Sequence, residues 1–506
     1  MKKIKTLQYR ELERLLGDIQ KPGRYVDHEI GTSSKDPVQM ENIPGSITIA
    51  LAFPDIYEIG MPNLGLQILY DIINNRPGFS AERVFSPWTD FEERLRETGI
   101  RLFSLENRIF LDCFDIVGFS LQHELLYTNM LNMLDLGKIP LHAEGRGPEY
   151  PLICAGGPAM INPQPVSAFM DFVVIGDGEE VIIAILDKAG AYKSGNRGKD
   201  WFLKQISSIE GVYIPSAYKF YYFPDGRIKS IDPPLKVKKA VLADLDRFEV
   251  IKSPVIPNIK TVHDRFAVEI MRGCARGCRF CQAGFIYRPV RQRKVEPLIG
   301  QCIEGLSNTG YDEISFLSLS SSDYRDLNRL VEGVLEKAGS ERLSISLPSL
   351  RLDSFNISIA GLVQAGRKTG LTFAPEAGSQ RMRDIINKDI TEKEIMDCIS
   401  IVFGGGWEKV KLYFMIGFPG ENQDDILAIA DLVEKIADIA RASMPPRKRR
   451  RLNINININV FNPKPFTPFQ WAAQDPIEVL EQKFKMILGN IPKRYINVTW
   501  SHPEKS

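Results

Sequence analysis

Two long regions of this chain alternate short apolar runs with segments of helical periodicity, and this alternation constrains the fold more than any other feature. The first region contains the runs SITIALAFPD, ERVFSP, DIVGFSLQ, LICAGGP and FVVIGDG. Each run ends in Gly, Pro or a polar residue, as buried parallel strands do. Stretches such as PNLGLQILYDIINN between them have helical spacing. The pattern predicts an α/β fold with a doubly wound, Rossmann-like sheet over residues 46–190.

The second region predicts a barrel. Its apolar runs are RFAVEIM, EISFLSLS, RLSISLPS, GLTFAPE, VKLYFMIGF and LNINININV, with helical stretches between them. Six strand–helix units predict a partial, TIM-like (β/α)6 barrel over residues 258–471, with its chemistry on the loops that follow the strands. Three flanking parts remain: a lead segment at 1–45, a β-rich connector at 191–257, and a C-terminal segment at 472–506 that leaves open a missing further piece.

The overall charge excludes some kinds of partner. Lys and Arg number 64 and Asp and Glu number 63, a net charge of +1, so the chain as a whole does not attract nucleic acid or anionic membranes. The N-terminal MKKIKTLQYRELERLL has no apolar stretch behind its lysines, and no apolar run approaches the ~18 residues of a membrane span. We expect a soluble, cytoplasmic protein without membrane contact.

Asparagine alternates with isoleucine in the last predicted barrel strand, LNINININV. Side chains alternate between the two faces of a strand, and the outer helices of a barrel need an apolar surface. We therefore expect Asn455 and Asn457 to face a polar lumen. The alternative is an edge strand whose asparagines face water.

Three of the seven cysteines, Cys274, Cys278 and Cys281, lie together directly after the first predicted barrel strand. Three thiolates can hold three corners of a four-iron cluster and leave the fourth iron open. A structural zinc site needs four ligands, and buried inert thiols are the other alternative. The remaining cysteines are scattered: Cys113, Cys154, Cys302 and Cys398. Gly273 and Gly277 would let the backbone of this loop approach a bulky group closely. The positive charges of Arg272, Arg276 and Arg279 would lower the pKa of the thiols.

This cysteine spacing, with an aromatic residue before the last cysteine, closely resembles the signature of the radical SAM superfamily. The resemblance covers roughly Phe266 to Trp471. It implies a [4Fe–4S] cluster whose open iron binds S-adenosylmethionine (SAM) and cleaves it reductively to a 5′-deoxyadenosyl radical. It also implies that Phe280 packs near the adenine of SAM.

Later loops match the superfamily in part. The segment FAPEAGSQ resembles a Glu-x-Gly-Ser segment of methylthiotransferase-like members, which implies that Glu376 and Ser379 lie beside SAM. MIGFPGE resembles the turn whose backbone, at Gly417, approaches adenine. A helix N-terminus and a plain strand–turn–helix are the respective alternatives.

One departure concerns the loop after the second strand. Members of the superfamily often carry Gly-Gly-Glu there, whereas this chain reads SLSSSDYRD. Ser320 could hydrogen-bond the amino acid part of SAM, but a carboxylate is missing unless Asp323 supplies it. Arg351, after the third strand, could bind the carboxylate or ribose of SAM or form a surface ion pair.

A doubly wound domain before such a barrel resembles the cobalamin-binding class of radical SAM proteins, and the segment FNPKPFTPFQW resembles an uncharacterised branch of it. The resemblance implies that loops at Gly156 and Gly178 could hold cobalamin. The cobalt-ligating motif Asp-x-His-x-x-Gly is absent, because the loop after the first strand reads PDIYEIGMPNLG. Tyr57, Glu58 or water would then face the cobalt. A sheet without the cofactor is the alternative.

These resemblances imply cobalamin-dependent methylation of an unactivated carbon, with a flavodoxin or ferredoxin as the reductant protein. One alternative is a cobalamin-independent radical SAM enzyme acting on RNA or a small molecule, and another is an iron–sulfur electron carrier or sensor. A methylthiotransferase would have three cysteines in its N-terminal domain, whereas this region has only Cys113 and Cys154. The basic run Arg447–Arg451 could contact RNA or form a solvated loop.

Overall fold

The computed structural model describes residues 3–195, 197–339, 343–353, 361, 370–492 and 494–505. The chain forms two compact units, Met1–Ala243 with Ser253–Asp264, and Asp244–Lys252 with Arg265–Ser506. None of the helices formed by the described residues has the combined length and apolarity that crossing a bilayer requires.

The first unit has eight strands and eight α-helices among its described residues. The strands are β1 (Ile47–Phe53), β2 (Phe79–Phe85), β3 (Ile116–Ser120), β4 (Leu152–Gly156), β5 (Phe172–Val174), β6 (Val212–Tyr213), β7 (Lys219–Tyr222) and β8 (Ile228–Asp232). The helices are α1 (Tyr9–Leu15), α2 (Pro37–Glu41), α3 (Tyr57–Gly60), α4 (Leu64–Asn74), α5 (Thr89–Thr98), α6 (Tyr127–Leu136), α7 (Glu179–Ser194) and α8 (Lys199–Ile206).

The main sheet of this unit is doubly wound, as the alternating pattern predicts. Its order is β2-β1-β3-β4-β5-β6, and all neighbours are parallel except β5 and β6. Successive residues of β1 bury against opposite faces: Ile49 and Leu51 join the core formed with α4 and α7, and Ala50 and Ala52 join the core formed with α5 and α6. Because β1 and β3–β5 are parallel, their carboxyl ends lie along one edge of the sheet, where such sheets bind ligands.

The unit extends beyond the predicted 46–190. In the lead segment, Leu7 donates its N–H to the carbonyl of Arg108 at 2.9 Å. The predicted connector 191–257 is divided: α8 and β6 complete the first unit, β7 and β8 form an antiparallel hairpin, and Asp244–Lys252 belongs to the second unit.

The second unit has nine strands and seven α-helices among its described residues. The strands are β9 (Phe266–Glu269), β10 (Met271–Arg272), β11 (Arg291–Gln292), β12 (Glu313–Leu317), β13 (Ser344–Ser346), β14 (Leu371–Glu376), β15 (Lys409–Ile416), β16 (Asn453–Val460) and β17 (Ile496–Trp500). The helices are α9 (Ala283–Ile286), α10 (Val295–Thr309), α11 (Leu327–Ala338), α12 (Gln380–Ile385), α13 (Glu392–Gly404), α14 (Gln423–Ser443) and α15 (Ile477–Asn490).

Seven of these strands run parallel in two ladders, β13-β12-β9 and β14-β15-β16-β17. The partial, TIM-like architecture is confirmed, with one strand more than predicted. The additional strand, β17, comes from the predicted C-terminal segment, which also supplies α15. One large core joins the helix-facing sides of the strands to the helices.

The asparagine strand faces the way its alternation predicts. Ile454, Ile456 and Ile458 are fully buried in the core with the helices, so the asparagines occupy the opposite face. β16 pairs with β15 on one side and β17 on the other, so it is not an edge strand.

Candidate active site

The three clustered cysteines lie on one loop between β10 and α9, just beyond β9. The antiparallel pair β10–β11 closes the base of this loop. Gly273 has a φ of +91°, and a side chain there would bring a Cβ within 2.7 Å of the carbonyl oxygens of Tyr287 and Pro289. Only glycine fits this backbone, which begins the cysteine loop.

The thiols lie in a partly buried, positively charged setting. Burial raises the pKa of Cys278, while Lys388 and Arg351 act in the opposite direction; burial also raises the pKa of Cys281. Each of these two thiols also experiences the charge of Cys274, which indicates that the three are neighbours. A coordinated metal deprotonates a thiol outright, so metal binding would overcome the effect of burial.

The donor set fits an iron–sulfur cluster. Cys302 and Cys398 are buried in the helix-facing core of this unit, apart from the cysteine loop. No three His, Cys, Asp or Glu side chains of the described residues converge as ligands of a single metal ion would. In a four-iron cluster each thiolate binds a different iron, so thiols on one loop need not converge in that way.

The motif arginines have partners besides the thiols, and Arg276 also interacts electrostatically with Cys274. Burial dominates the pKa of Cys278 and Cys281. The arginine contacts are Arg272 Nε to Glu269 Oε1 at 2.8 Å, Arg276 Nε to Asp323 Oδ2 at 2.9 Å, and Arg279 Nη1 to the carbonyl of Ile385 at 2.6 Å.

An ion-pair network links the cysteine loop to the loops after β12 and β13. Arg276 bridges Asp323 and Asp353, and Arg351 Nε binds Asp353 Oδ1 at 2.9 Å. Burial raises the pKa of Asp323, but its ion pair with Arg276 outweighs this and leaves the pKa below its usual value. Asp323 is therefore the ion-pair partner of Arg276. Arg351 is a positive charge near Cys278 and is itself paired with Asp353. Ser320 is 1% exposed in the same loop after β12.

The segment after β14 is a helix start that also reaches the site. Ser379 caps α12, since its Oγ accepts the N–H of Met382 at 3.0 Å and donates to Asp425 Oδ1 at 2.5 Å. Glu376 binds Lys388 Nζ at 3.1 Å, and Lys388 is one of the cations near Cys278. The structure places Glu376 close to the cysteine loop, and Ser379 has a capping role.

Aromatic rings join the cysteine loop to the turn after β15. The ring of Phe280 lies 5.5 Å from that of Phe418, which lies 5.5 Å from Phe461. Phe469 packs edge-on against Phe461 at 5.8 Å. The segment FNPKPFTPFQW thus contributes rings to the site. Besides the resemblance, the density of aromatic residues directly after a strand is the sequence signal that points to this motif.

Gly417 lies in the turn after β15 with a φ of +85°, and its N–H donates to Glu421 Oε2 at 2.8 Å. Lys483 Nζ binds the same oxygen at 2.6 Å. Lys483 lies on α15, outside every predicted motif, so no sequence signal pointed to it.

In the first unit, the predicted loops lie at the carboxyl edge of the sheet. Ser120 and Gly156 are paired neighbours at the ends of β3 and β4, and Gly178 directly precedes α7. A Cβ at Gly156 would meet only ordinary contacts, the nearest at 3.8 Å. The backbone here is therefore accessible to a ligand.

The residues expected to face cobalt have other partners. Tyr57 donates to Glu29 Oε1 at 2.5 Å and accepts the N–H of Asn258 at 3.0 Å. Glu58 forms a buried ion pair with Arg24 at 2.7 Å. This expectation is therefore corrected: both groups have internal partners that stabilise the fold.

A cysteine loop that begins at a glycine with positive φ and lies at the carboxyl ends of TIM-like strands is typical of iron–sulfur proteins that cleave SAM. Two family descriptions match: "Radical SAM superfamily" over residues 268–433 and "Radical SAM proteins, N-terminal" over residues 65–215. The chain belongs to the radical SAM superfamily, and its cofactors are accordingly a [4Fe–4S] cluster and SAM.

Two kinds of relative are similar in sequence. An uncharacterised protein of Methanocaldococcus jannaschii is 29% identical over 393 residues, which is 77% of this chain and 73% of that protein. The tRNA-2-methylthio-N(6)-dimethylallyladenosine synthase of Thermotoga petrophila is 25% identical over 190 residues, covering 36% of this chain and 42% of the synthase. The chain thus matches less than half the length of the tRNA enzyme.

Two solved structures share the fold. The radical S-adenosylmethionine methyltransferase TsrM of Kitasatospora setae, with cobalamin and a [4Fe–4S] cluster bound, has a TM-score of 0.56 at 13% identity, covering 86% of this chain and 78% of TsrM. The cobalamin-dependent S-adenosylmethionine radical enzyme OxsB, with aqua-cobalamin and S-adenosylmethionine bound, has a TM-score of 0.51 at 12% identity, covering 89% of this chain and 58% of OxsB.

Proposed function

We propose that this chain is a cobalamin-dependent radical SAM enzyme that transfers a methyl group to an unactivated carbon. The observation that carries the proposal is a single loop with three neighbouring thiols, Cys274, Cys278 and Cys281, in a chain whose preceding unit is a doubly wound sheet. The fold shared with TsrM, a methyltransferase structure that contains cobalamin, supports this combination.

The residues of the second unit have distinct roles in this proposal. Cys274, Cys278 and Cys281 would hold a [4Fe–4S] cluster through three thiolates, one fewer than a complete cysteine set, which would leave a place for SAM. A bound cluster would supply the electron for reductive cleavage of SAM, and so the 5′-deoxyadenosyl radical needed for hydrogen abstraction. Lys388 and Arg351 place positive charge beside Cys278 and favour its thiolate. Phe280 and Phe418 offer adenine an apolar wall next to the loop.

The residues of the first unit would hold the second cofactor. A bound cobalamin would carry the methyl group. Ser120, Gly156 and Gly178 would let its nucleotide part approach the backbone at the carboxyl edge of the sheet. Because Tyr57 and Glu58 are bound internally, we infer that neither supplies a ligand to cobalt.

A cobalamin-independent enzyme that modifies RNA is the second candidate, and the similarity to tRNA-modifying synthases favours it. The basic run Arg447–Arg451 precedes β16, at the opposite end of that strand from the cysteine loop, and Lys448 and Arg451 lie within 3.6 Å of Glu408. RNA held by this run would therefore not lie directly over the cluster.

The proposal requires an electron donor, of the flavodoxin or ferredoxin type, because the cluster must be reduced before SAM is cleaved. It also implies a cytoplasmic location, since a reducing compartment keeps the seven cysteines as thiols.

Anaerobic purification with iron, sulfide and corrinoid analysis tests the proposal. We expect a brown protein with about four irons per chain, and loss of this iron in Cys274→Ala, Cys278→Ala and Cys281→Ala. Cys302→Ala is the matched control, because this thiol is fully buried in the core and should affect packing but not iron. A colourless protein with one zinc would contradict the cluster. A full cluster with no affinity for corrinoid would favour the second candidate.

A further inference from the structure

A buried ion pair supports the turn that adjoins the cysteine loop. Glu421, at the end of this turn, accepts the N–H of Gly417 at 2.8 Å through Oε2. Lys483, from α15, donates to the same oxygen at 2.6 Å and to Asp475 Oδ2 at 2.6 Å. One lysine therefore connects a helix outside the predicted motifs to the backbone of the turn.

Burial makes this lysine hard to replace. The Glu421 side chain is 3% exposed and that of Lys483 is 15% exposed. Burial raises the pKa of Glu421, and the hydrogen bond from Lys483 opposes the increase. Removing the lysine alone would leave a buried carboxylate without its counter-charge, which is strongly unfavourable. The carboxylate would then take up a proton or turn away from Gly417.

The turn has little freedom to adjust. Gly417 has a φ of +85°, and a Cβ there would lie 3.2 Å from Leu480 Cδ2 on α15. The next residue, Phe418, packs 5.5 Å from Phe280, which directly precedes Cys281. A displacement of the turn would therefore change the surface next to the cysteine loop.

We propose that Lys483 is a positioning residue for SAM, which acts through Glu421 to fix the turn at Gly417 beside the cysteine loop. This inference rests on the proposed function, because SAM bound at the open iron would border this turn. The hydrogen bonds of Lys483 to described residues go to Glu421 and Asp475, so it reaches the turn through Glu421.

Equilibrium dialysis of SAM against the anaerobically loaded enzyme tests the proposal. We expect Lys483→Met to weaken SAM binding by roughly tenfold, the size expected when one hydrogen bond to a charged group is lost, while iron content stays at the parent level. Lys485→Met, on the exposed side of the same helix, is the matched control and should bind SAM normally.

A double variant separates positioning from general damage. In Glu421→Gln with Lys483→Met the buried charge at 421 is removed, and the glutamine oxygen can still accept the N–H of Gly417; Asp475 also loses Lys483, but its side chain is 31% exposed and can turn to water. We expect this variant to fold and to regain most of the affinity for SAM. Normal SAM binding by Lys483→Met, or equally weak binding by the double variant, would overturn the proposal. If the loaded parent itself bound no SAM, the proposed function would fail together with this inference.

Discussion

Glu82 illustrates how a single buried charge can couple folding to pH. It lies on β2 with 1% exposure and accepts hydrogen bonds from Ser104 Oγ at 2.6 Å and Asn107 Nδ2 at 2.7 Å. Burial, assisted by the nearby charge of Glu106, raises the pKa of Glu82 to about 7. The folded protein therefore retains a proton that an unfolded chain releases at lower pH.

We predict that this carboxyl makes the first unit less stable as the pH rises from about 4.5 to about 7, because the unfolded state binds fewer protons there. Glu82→Gln should reduce this dependence, and Glu93→Gln, on the exposed side of α5, should leave it unchanged. The measurement is the urea midpoint at about pH 5.5 and about pH 7.5, read by hydrogen exchange of β2 peptides. An equal change in urea midpoint between the two pH values in the parent and in Glu82→Gln would contradict this prediction.

At the scale of elements, β16 shows what periodicity can and cannot predict. The alternation of Asn and Ile correctly predicted which side faces the helices, because period two leaves no other choice. It did not predict the partner strand. Asn497 and Thr499 of β17, and Ser501 just after it, hydrogen-bond the asparagine side chains of β16 at 2.9–3.3 Å. Five residues gave too short a pattern to identify this strand.

We predict that Asn457→Leu and Asn455→Leu impair SAM cleavage more than folding. Each loses one side-chain hydrogen bond to β17, which should lower the free energy of unfolding by about 1 kcal/mol. The polar face toward the site changes at the same time. Asn453→Leu, at the far end of the strand from the cysteine loop, is the matched control. The readouts are 5′-deoxyadenosine per cluster and the thermal midpoint; full deoxyadenosine production by both variants would disprove a functional face.

At the scale of the whole molecule, short-range chemistry was predictable and long-range pairing was not. The cysteine loop could be identified because its ligands lie within eight residues. Arg276 pairs with Asp323 and Asp353, 47 and 77 residues away, and Lys483 reaches Glu421 across 62 residues. Such partners depend on how the strands are ordered, which a single sequence does not specify. The role of the glycines at the edge of the first sheet remains a prediction.

We predict that the first unit retains cobalamin and that Gly156→Trp abolishes this. The backbone there has room for a Cβ but not for an indole together with a ligand, so Gly156→Ala is the matched control. After reconstitution with hydroxocobalamin, gel filtration and a visible spectrum should show corrinoid with the parent and Gly156→Ala only. Equal retention by Gly156→Trp would place the cofactor elsewhere, and no retention by the parent would leave hydrogen abstraction with SAM alone.

The pairing of β16 with β17 also has a consequence for synthesis on the ribosome. β16 is complete at Val460, but β17 begins only at Ile496. The edge of β16 that pairs with β17 therefore has no partner while the intervening residues are synthesised. Unpaired strand edges are sites at which nascent chains readily aggregate. Because every second residue of β16 is asparagine, the unpaired strand presents carboxamides on one face, and only its other face is apolar; α14 precedes the strand, whereas α15, which packs in the same core, is made after it.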